Sequence, residues 1–323
     1  MKLFYPTGDN MREMRPERGT PIKMFCGKGG VGKTTCSAST AIHYSEQGYR
    51  TLLVSTDPSP SLSDILETDV YGRVVEVAGQ PGLYAVELDY AGIKDLWLER
   101  FGGEVYEVVS SFLPVGEEVL QYISGAPGIS EEFALSYIYD FYVGGEYDLI
   151  VWDTAPAGGT LSLLKLQETF YRHMGEAAGL YLRLKNTLDR LSGQEKKDPL
   201  RLIKEWEALA RNVLEMVRAP TTLAYIVTIP ESLGVSQTRR IWEELGRFGV
   251  NIAGIIINTL ITEDQECSRL LTKRKAMQQT YVDQIKEEYQ EVNILTLPLA
   301  EFEVKGLEPL RRVEKKLFSQ PGI

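Results

Sequence analysis

Four glycines, two lysines and two threonines crowd into nine residues, Gly27-Lys28-Gly29-Gly30-Val31-Gly32-Lys33-Thr34-Thr35. The spacing GxxxxGK followed by threonine serves one kind of chemistry, the cradling of a phosphate chain. Glycine lets the backbone curl with its N–H groups inward, and it keeps β-carbons away from phosphate oxygens. Lys33 then reaches the β- and γ-phosphates, and the Thr34 hydroxyl binds magnesium. Two aspartates are placed to assist. Asp57 follows the apolar run 51–55 (TLLVS), where an acid beside a phosphate loop can hold a magnesium-bound water or position the attacking one. The stretch 57–64 also reads as a turn or helix cap written in Asp, Pro and Ser, a reading that suits Asp64 better than Asp57. Asp153 ends the clearest buried run of the chain, 147–153 (YDLIVWD), as a magnesium aspartate beside a phosphate loop should. The glycine-containing turn 154–160 could sense the γ-phosphate; on composition alone it is a loop.

These residues need a strand before the loop and a helix after it. Residues 22–26 (IKMFC) supply a short apolar strand, and 34–47 avoid Gly and Pro until Gly48, a fitting helix end. The loop therefore precedes a helix N-terminus, whose dipole favours an anion. Strands are also predicted at 51–55 and 83–89. From 91 to 142 the texture turns helical and aromatic: Ile93, Leu96, Trp97 and Phe101 share one face, and Val105, Val108, Val109 and Phe112 another. Between 132 and 142 two stripes, Phe133-Tyr137-Phe141 and Leu135-Ile138-Tyr142, leave that helix either buried on both sides or exposing one stripe. A second helical block spans 161–217, with one stripe at Leu180, Leu184, Leu188 and Leu191 and one at Ile203, Trp206, Ala210, Val213 and Val217. Strands then alternate with helices: 222–229, 251–258 and 293–299 as strands, 234–248 and 269–289 as helices. Such alternation predicts a parallel sheet covered on both faces, interrupted by insertions at 91–142 and 161–217. Residues 1–20 read as a flexible leader, and 21–323 as one domain.

Bulk properties exclude several alternatives. A net charge of −10 and a pI near 5.0 argue against a general nucleic-acid binder. The basic run Lys273-Arg274-Lys275 is better explained as a solvated helix face. Cys26, Cys36 and Cys267 form no CxxC pair, which suits a reducing cytosol and inert, buried thiols. No apolar run is long enough to span a bilayer, His43 and His173 show no metal spacing, and no Ser-His-Asp arrangement is visible.

The extra lysine near the start of the loop, Lys28, sharpens the picture. GKGGVGKTT resembles the deviant phosphate loop of the nitrogenase iron protein, partition ATPases and arsenite-pump ATPases. Residues 55–64 (STDPSPSLSD) are similar to the first switch of the arsenite-pump and tail-anchored-protein targeting ATPases, and 153–161 (DTAPAGGTL) to the second. Residues 230–233 (PESL), Asn258, and Pro298-Leu299 followed by 304–307 (VKGL) fit the same family. The resemblance covers roughly 22–315 and implies a doubly wound parallel-sheet P-loop NTPase with an inserted α-helical subdomain, working with ATP and Mg2+. It implies a homodimer in which Lys28 crosses to the partner's nucleotide and Asp57 orients the attacking water. Gly27, Gly29, Gly30, Val31, Gly32, Lys33 and Thr35 would hold phosphates, and Thr34 and Asp153 would serve magnesium. Glu231 would contact the partner's nucleotide, with Asn258, Pro298 and Leu299 near adenine. Pro60 and Gly159 replace the switch histidines of the family, and Cys267-Ser268-Arg269-Leu270 keeps only the first cysteine of a bridging CxxC, so zinc is not expected. A redox iron protein would need bridging cysteines in the switch regions, which the sequence lacks. The implied function is a cytoplasmic targeting factor for the hydrophobic tails of membrane proteins, meeting the membrane through a receptor. Its alternatives are the soluble motor of an arsenite pump and a Par- or Min-like positioning ATPase.

Overall fold

The computed structural model describes residues 19–57, 61–88, 129–156, 199–263, 265 and 268–320, with 165 and scattered positions between 92 and 120. Eight strands, β1 (Ile22–Gly27), β2 (Thr51–Ser55), β3 (Val75–Glu76), β4 (Leu83–Glu87), β5 (Leu149–Asp153), β6 (Thr222–Thr228), β7 (Asn251–Leu260) and β8 (Asn293–Pro298), form one sheet. Their order is β3-β4-β2-β5-β1-β6-β7-β8. Every neighbouring pair is parallel except β3 with β4. The described helices are α1 (Lys33–Glu46), α2 (Leu62–Leu66), α3 (Ile129–Gly144), α4 (Pro199–Arg218), α5 (Ser232–Phe248), α6 (Arg269–Glu288) and α7 (Leu307–Phe318).

Alternation along the central strand divides the core in two. Ile22, Met24 and Cys26 of β1 face a layer that includes Leu135 and Ile138 of α3, Val213 of α4 and Leu245 of α5. Phe25 faces the opposite layer, with Ile42 of α1, Leu62 of α2 and Leu310 and Leu317 of α7. Helices therefore cover both faces, as the alternation of the sequence predicted. The chain leaves β1 for β2 on one side and passes from β5 to β6 on the other. These connections diverge at the carboxyl end of β1, the position at which open α/β sheets take ligands.

Most predicted elements fall within two residues of the observed ones, and the exceptions have physical reasons. Strand β3 and helix α2 are too short to carry a period. Helix α7 has no counterpart among the predicted elements; Leu310, Val313 and Leu317, spaced three and four apart, bury one face against α1. Strand β7 runs on through Thr259, a non-glycine residue at φ +61°, where its register with β8 shifts. In α3 the open choice resolves toward burial: Leu135, Tyr137 and Ile138 are buried and Phe141 and Tyr142 half-buried. The leader up to residue 18, most of both insertions with the Leu180–Leu191 stripe, and Pro60, Gly158, Gly159 and Cys267 lie outside the described residues. No described helix is long and apolar enough to cross a membrane.

Candidate functional site at the carboxyl end of β1

Strand β1 delivers the loop, and α1 receives it. Gly32, at φ +95°, turns the backbone through the left-handed region into Lys33, the first residue of α1. No side chain caps this helix start, which leaves its first amides for an anion. Lys33 is 5% exposed, and its Nζ donates to the Lys28 carbonyl (3.3 Å), curling the lysine over its own loop. Lys28 itself is exposed. Two of the glycines have a reason other than phosphate. A β-carbon on Gly27 would strike the Val227 carbonyl of β6, and one on Gly32 would strike the Asn258 side chain. Gly30, at φ +80°, has open space around it.

Three residues lie in one row across β5, β2 and β4: Asp153, Ser55 and Glu87 are register partners. Thr34 Oγ1 donates to Asp153 Oδ2 (2.8 Å) and lies 3.5 Å from Ser61 Oγ. Asp153 is fully buried, and its Oδ1 has no hydrogen-bond partner among the described residues. Burial pushes its carboxyl up to about 7, against the Thr34 hydrogen bond and the Lys33 charge that pull it down. An orphaned buried carboxylate oxygen beside a threonine hydroxyl is an oxygen-only donor set, which fits a hard divalent cation such as Mg2+. Asp57 is half-buried just beyond β2, its N–H donating to Ser55 Oγ (3.2 Å). The neighbouring Thr56 is tied to β5 twice, its N–H to the Asp153 carbonyl (3.0 Å) and its Oγ1 to the Trp152 indole (3.0 Å). At the start of the second switch, Thr154 Oγ1 donates to the Phe25 carbonyl of β1 (2.8 Å). The start of α1, Thr56 and Asp57 after β2, and Asp153 and Thr154 at the end of β5 thus meet at the edge formed by the carboxyl ends of these strands.

Strands β7 and β8 end on the same edge. Asn258 Nδ2 donates to the Val31 carbonyl (2.9 Å), and its Oδ1 accepts from Thr259 N–H (2.8 Å). One N–H and one lone pair of that amide are left for a further partner. The bulge is held from behind by buried Gln278 of α6, which donates to the Thr259 carbonyl and accepts from Ile261 N–H, both at 2.9 Å. Pro298 pairs with Leu260, and exposed Leu299 donates to the Leu260 carbonyl (2.8 Å). Glu231 leaves the same edge three residues beyond β6, but its carboxylate turns to Arg274 of α6 (3.1 Å). It lines an open groove with exposed Leu233, Leu270 and Met277.

Comparison with known proteins matches this chain to a family. A sequence profile described as anion-transporting ATPase matches residues 20–319. The chain belongs to the anion-transporting ATPase family. Among its relatives, ATPase GET3A of Arabidopsis thaliana is 32% identical, over 91% of this chain and 82% of the relative. ATPase ASNA1 homolog 2 of Paramecium tetraurelia is 30% identical, over 88% and 90%. Putative arsenical pump-driving ATPase 2 of Aquifex aeolicus is 30% identical, over 92% and 98%. Membership in this ATPase family supports ATP hydrolysis as the chain's activity. Two residues of the site went unread in the sequence. Glu87 looked like an ordinary strand end, and Gln278 like a polar position on a solvated helix; both act across the fold, on segments 24–26 and 17–19 residues away, which no local period reports.

Proposed function

We propose that this anion-transporting ATPase hydrolyses ATP as a magnesium-dependent homodimer and uses the cycle to bind and release the hydrophobic tails of membrane proteins. The observation that carries the reading is the pairing of Thr34 with Asp153 at the mouth of the loop, with one buried Asp153 oxygen left unsatisfied among the described residues. Magnesium, when bound, would neutralise charge on the phosphates. The chain's own residues do the rest. Loop amides and Lys33 bind the phosphates, Thr34 and Asp153 hold the metal side, and Asp57 orients the attacking water. Lys28, exposed at the start of the loop, would neutralise charge on the nucleotide of a second copy. Glu231 would approach that nucleotide from its own chain's edge, and Asn258, Pro298 and Leu299 would border adenine. The exposed groove of Leu233, Leu270 and Met277 beside Glu231 supports an interface there.

One competing reading draws support from the name of the Aquifex aeolicus relative, the motor of an arsenical pump. Its chemistry fits less well: Cys26 and Cys36 are buried, and burial pushes both thiols up to about 12, far from the thiolate that binds a metalloid. A positioning ATPase would need a free amphipathic helix for the membrane, whereas the apolar face of α7 is packed on α1. The deciding experiment uses Asp57→Asn. Single-turnover hydrolysis should be nearly abolished while ATP still binds, and the ATP-trapped protein should retain an apolar helix of about 20 residues. Normal turnover in that variant removes the assignment, and failure to hold such a helix in any nucleotide state removes the targeting role.

A further inference from the structure

We propose that Glu87 is a positioning residue of the reaction, anchoring the 61–63 turn so that the Ser61 hydroxyl stands beside Thr34 at the Asp153 carboxylate. The proposal rests on the ATPase reading above. Glu87 is 1% exposed at the carboxyl end of β4. A carboxylate so deeply buried is tolerated only when hydrogen-bonded throughout. Here both oxygens are engaged by one short segment. Oε1 accepts from Ser61 N–H (2.7 Å) and Leu62 N–H (3.0 Å), and Oε2 from Ser63 N–H (3.4 Å) and Ser63 Oγ (2.9 Å).

The direction of these bonds matters. Helix starts are ordinarily capped by the residue that precedes them, and Ser61 is of the type that does so. Ser61 makes no such bond. Glu87 supplies the cap from another strand, which frees the Ser61 hydroxyl to lie 3.5 Å from Thr34 Oγ1. Thr34 in turn donates to Asp153. The register row gives the anchor its rigidity, because Glu87 and Asp153 sit on either side of Ser55 in adjacent strands, and Ser55 Oγ holds the Asp57 N–H. A local cap would have served stability equally well; a remote carboxylate in this row also fixes where Ser61 stands relative to the reacting end of the loop.

Glu87→Gln keeps the shape but turns an amide N–H2 toward the Ser63 N–H, donor against donor. Glu87→Asp keeps the charge and withdraws it by one methylene. Two readouts are combined, steady-state ATP hydrolysis and backbone hydrogen exchange in the nucleotide-free protein. In Glu87→Gln, the Leu62 and Ser63 amides should exchange faster while β1 and α1 stay protected. Its kcat should fall roughly 10- to 100-fold, the order that a ~1 Å misplacement costs, with KM for ATP held within about threefold. Glu87→Asp should recover part of kcat. Ser61→Ala should reproduce the kcat loss with its amide protection intact, and it decides the matter if Glu87→Gln does not fold. Unchanged kcat in Glu87→Gln or in Ser61→Ala overturns the proposal, as does exchange that rises across the whole sheet. An unaltered protein without ATP hydrolysis removes the function on which the proposal rests; an active protein matched by its Glu87→Gln variant removes the proposal alone.

Discussion

Individual side chains at the two ends of β1 work under opposite constraints. At its carboxyl end, Gly27 is glycine because β6 approaches too closely for a β-carbon. Near its amino end, Lys23 stands on the same strand with its Nζ donating to the Tyr225 hydroxyl (3.2 Å) and lying 5.2 Å from the Tyr44 ring centroid. Burial lowers its ammonium from 10.5 to about 8. The folded protein therefore sheds this proton at lower pH than the unfolded chain does. Between about 8 and 10.5 the unfolded state binds more protons, so the Lys23 contribution to stability rises with pH and is lost as pH falls through about 8. Urea denaturation of the unaltered protein and of Lys23→Met should show their stability difference moving in favour of the lysine as pH rises through that window. A difference independent of pH would contradict the burial. Any constant cost of leaving Tyr225 without its partner cancels in this comparison.

At the scale of elements, α1 links the phosphate loop to the rest of the domain, and α7 holds α1 in place. Leu310 and Leu317 are fully buried, Ser39 Oγ donates to the Leu310 carbonyl (3.1 Å), and His43 Nδ1 meets Glu314 Oε1 at 2.6 Å. Leu317→Ala should cost about 2–5 kcal/mol of unfolding free energy, read from the denaturant midpoint. A loss below about 1 kcal/mol would mean that α7 is not part of the cooperative core. How far the sequence revealed these elements follows from their physics. Strands β1, β2, β5 and β6 carry apolar runs bounded by turns, and α5 and α6 carry long periods, so both kinds were legible. The loop was legible because its motif fixes residue type and spacing together, and Asp153 because it ends the apolar run 147–153. Helix α7 was not, because its charges, Arg311, Arg312, Lys315 and Lys316 among them, mask a narrow buried face. Asn258 was read as a neighbour of adenine, and its bond to the Val31 carbonyl, 227 residues away, had no local signal.

At the scale of the whole molecule, a chain of net charge −10 is proposed to meet a copy of itself. Long-range repulsion opposes that encounter, so exposed Lys28 and the apolar groove by Glu231 must outweigh it at short range. The loop alone would serve a monomeric nucleotide binder equally well. What separates the two accounts is whether Lys28 acts on the nucleotide of its own chain or on that of another. The most direct test is ATP turnover per chain measured against protein concentration, for the unaltered protein and for Lys28→Ala. The account predicts turnover that climbs with concentration to a plateau and is nearly abolished, with ATP binding retained, in Lys28→Ala. Turnover that is the same at every concentration and untouched by Lys28→Ala would contradict it.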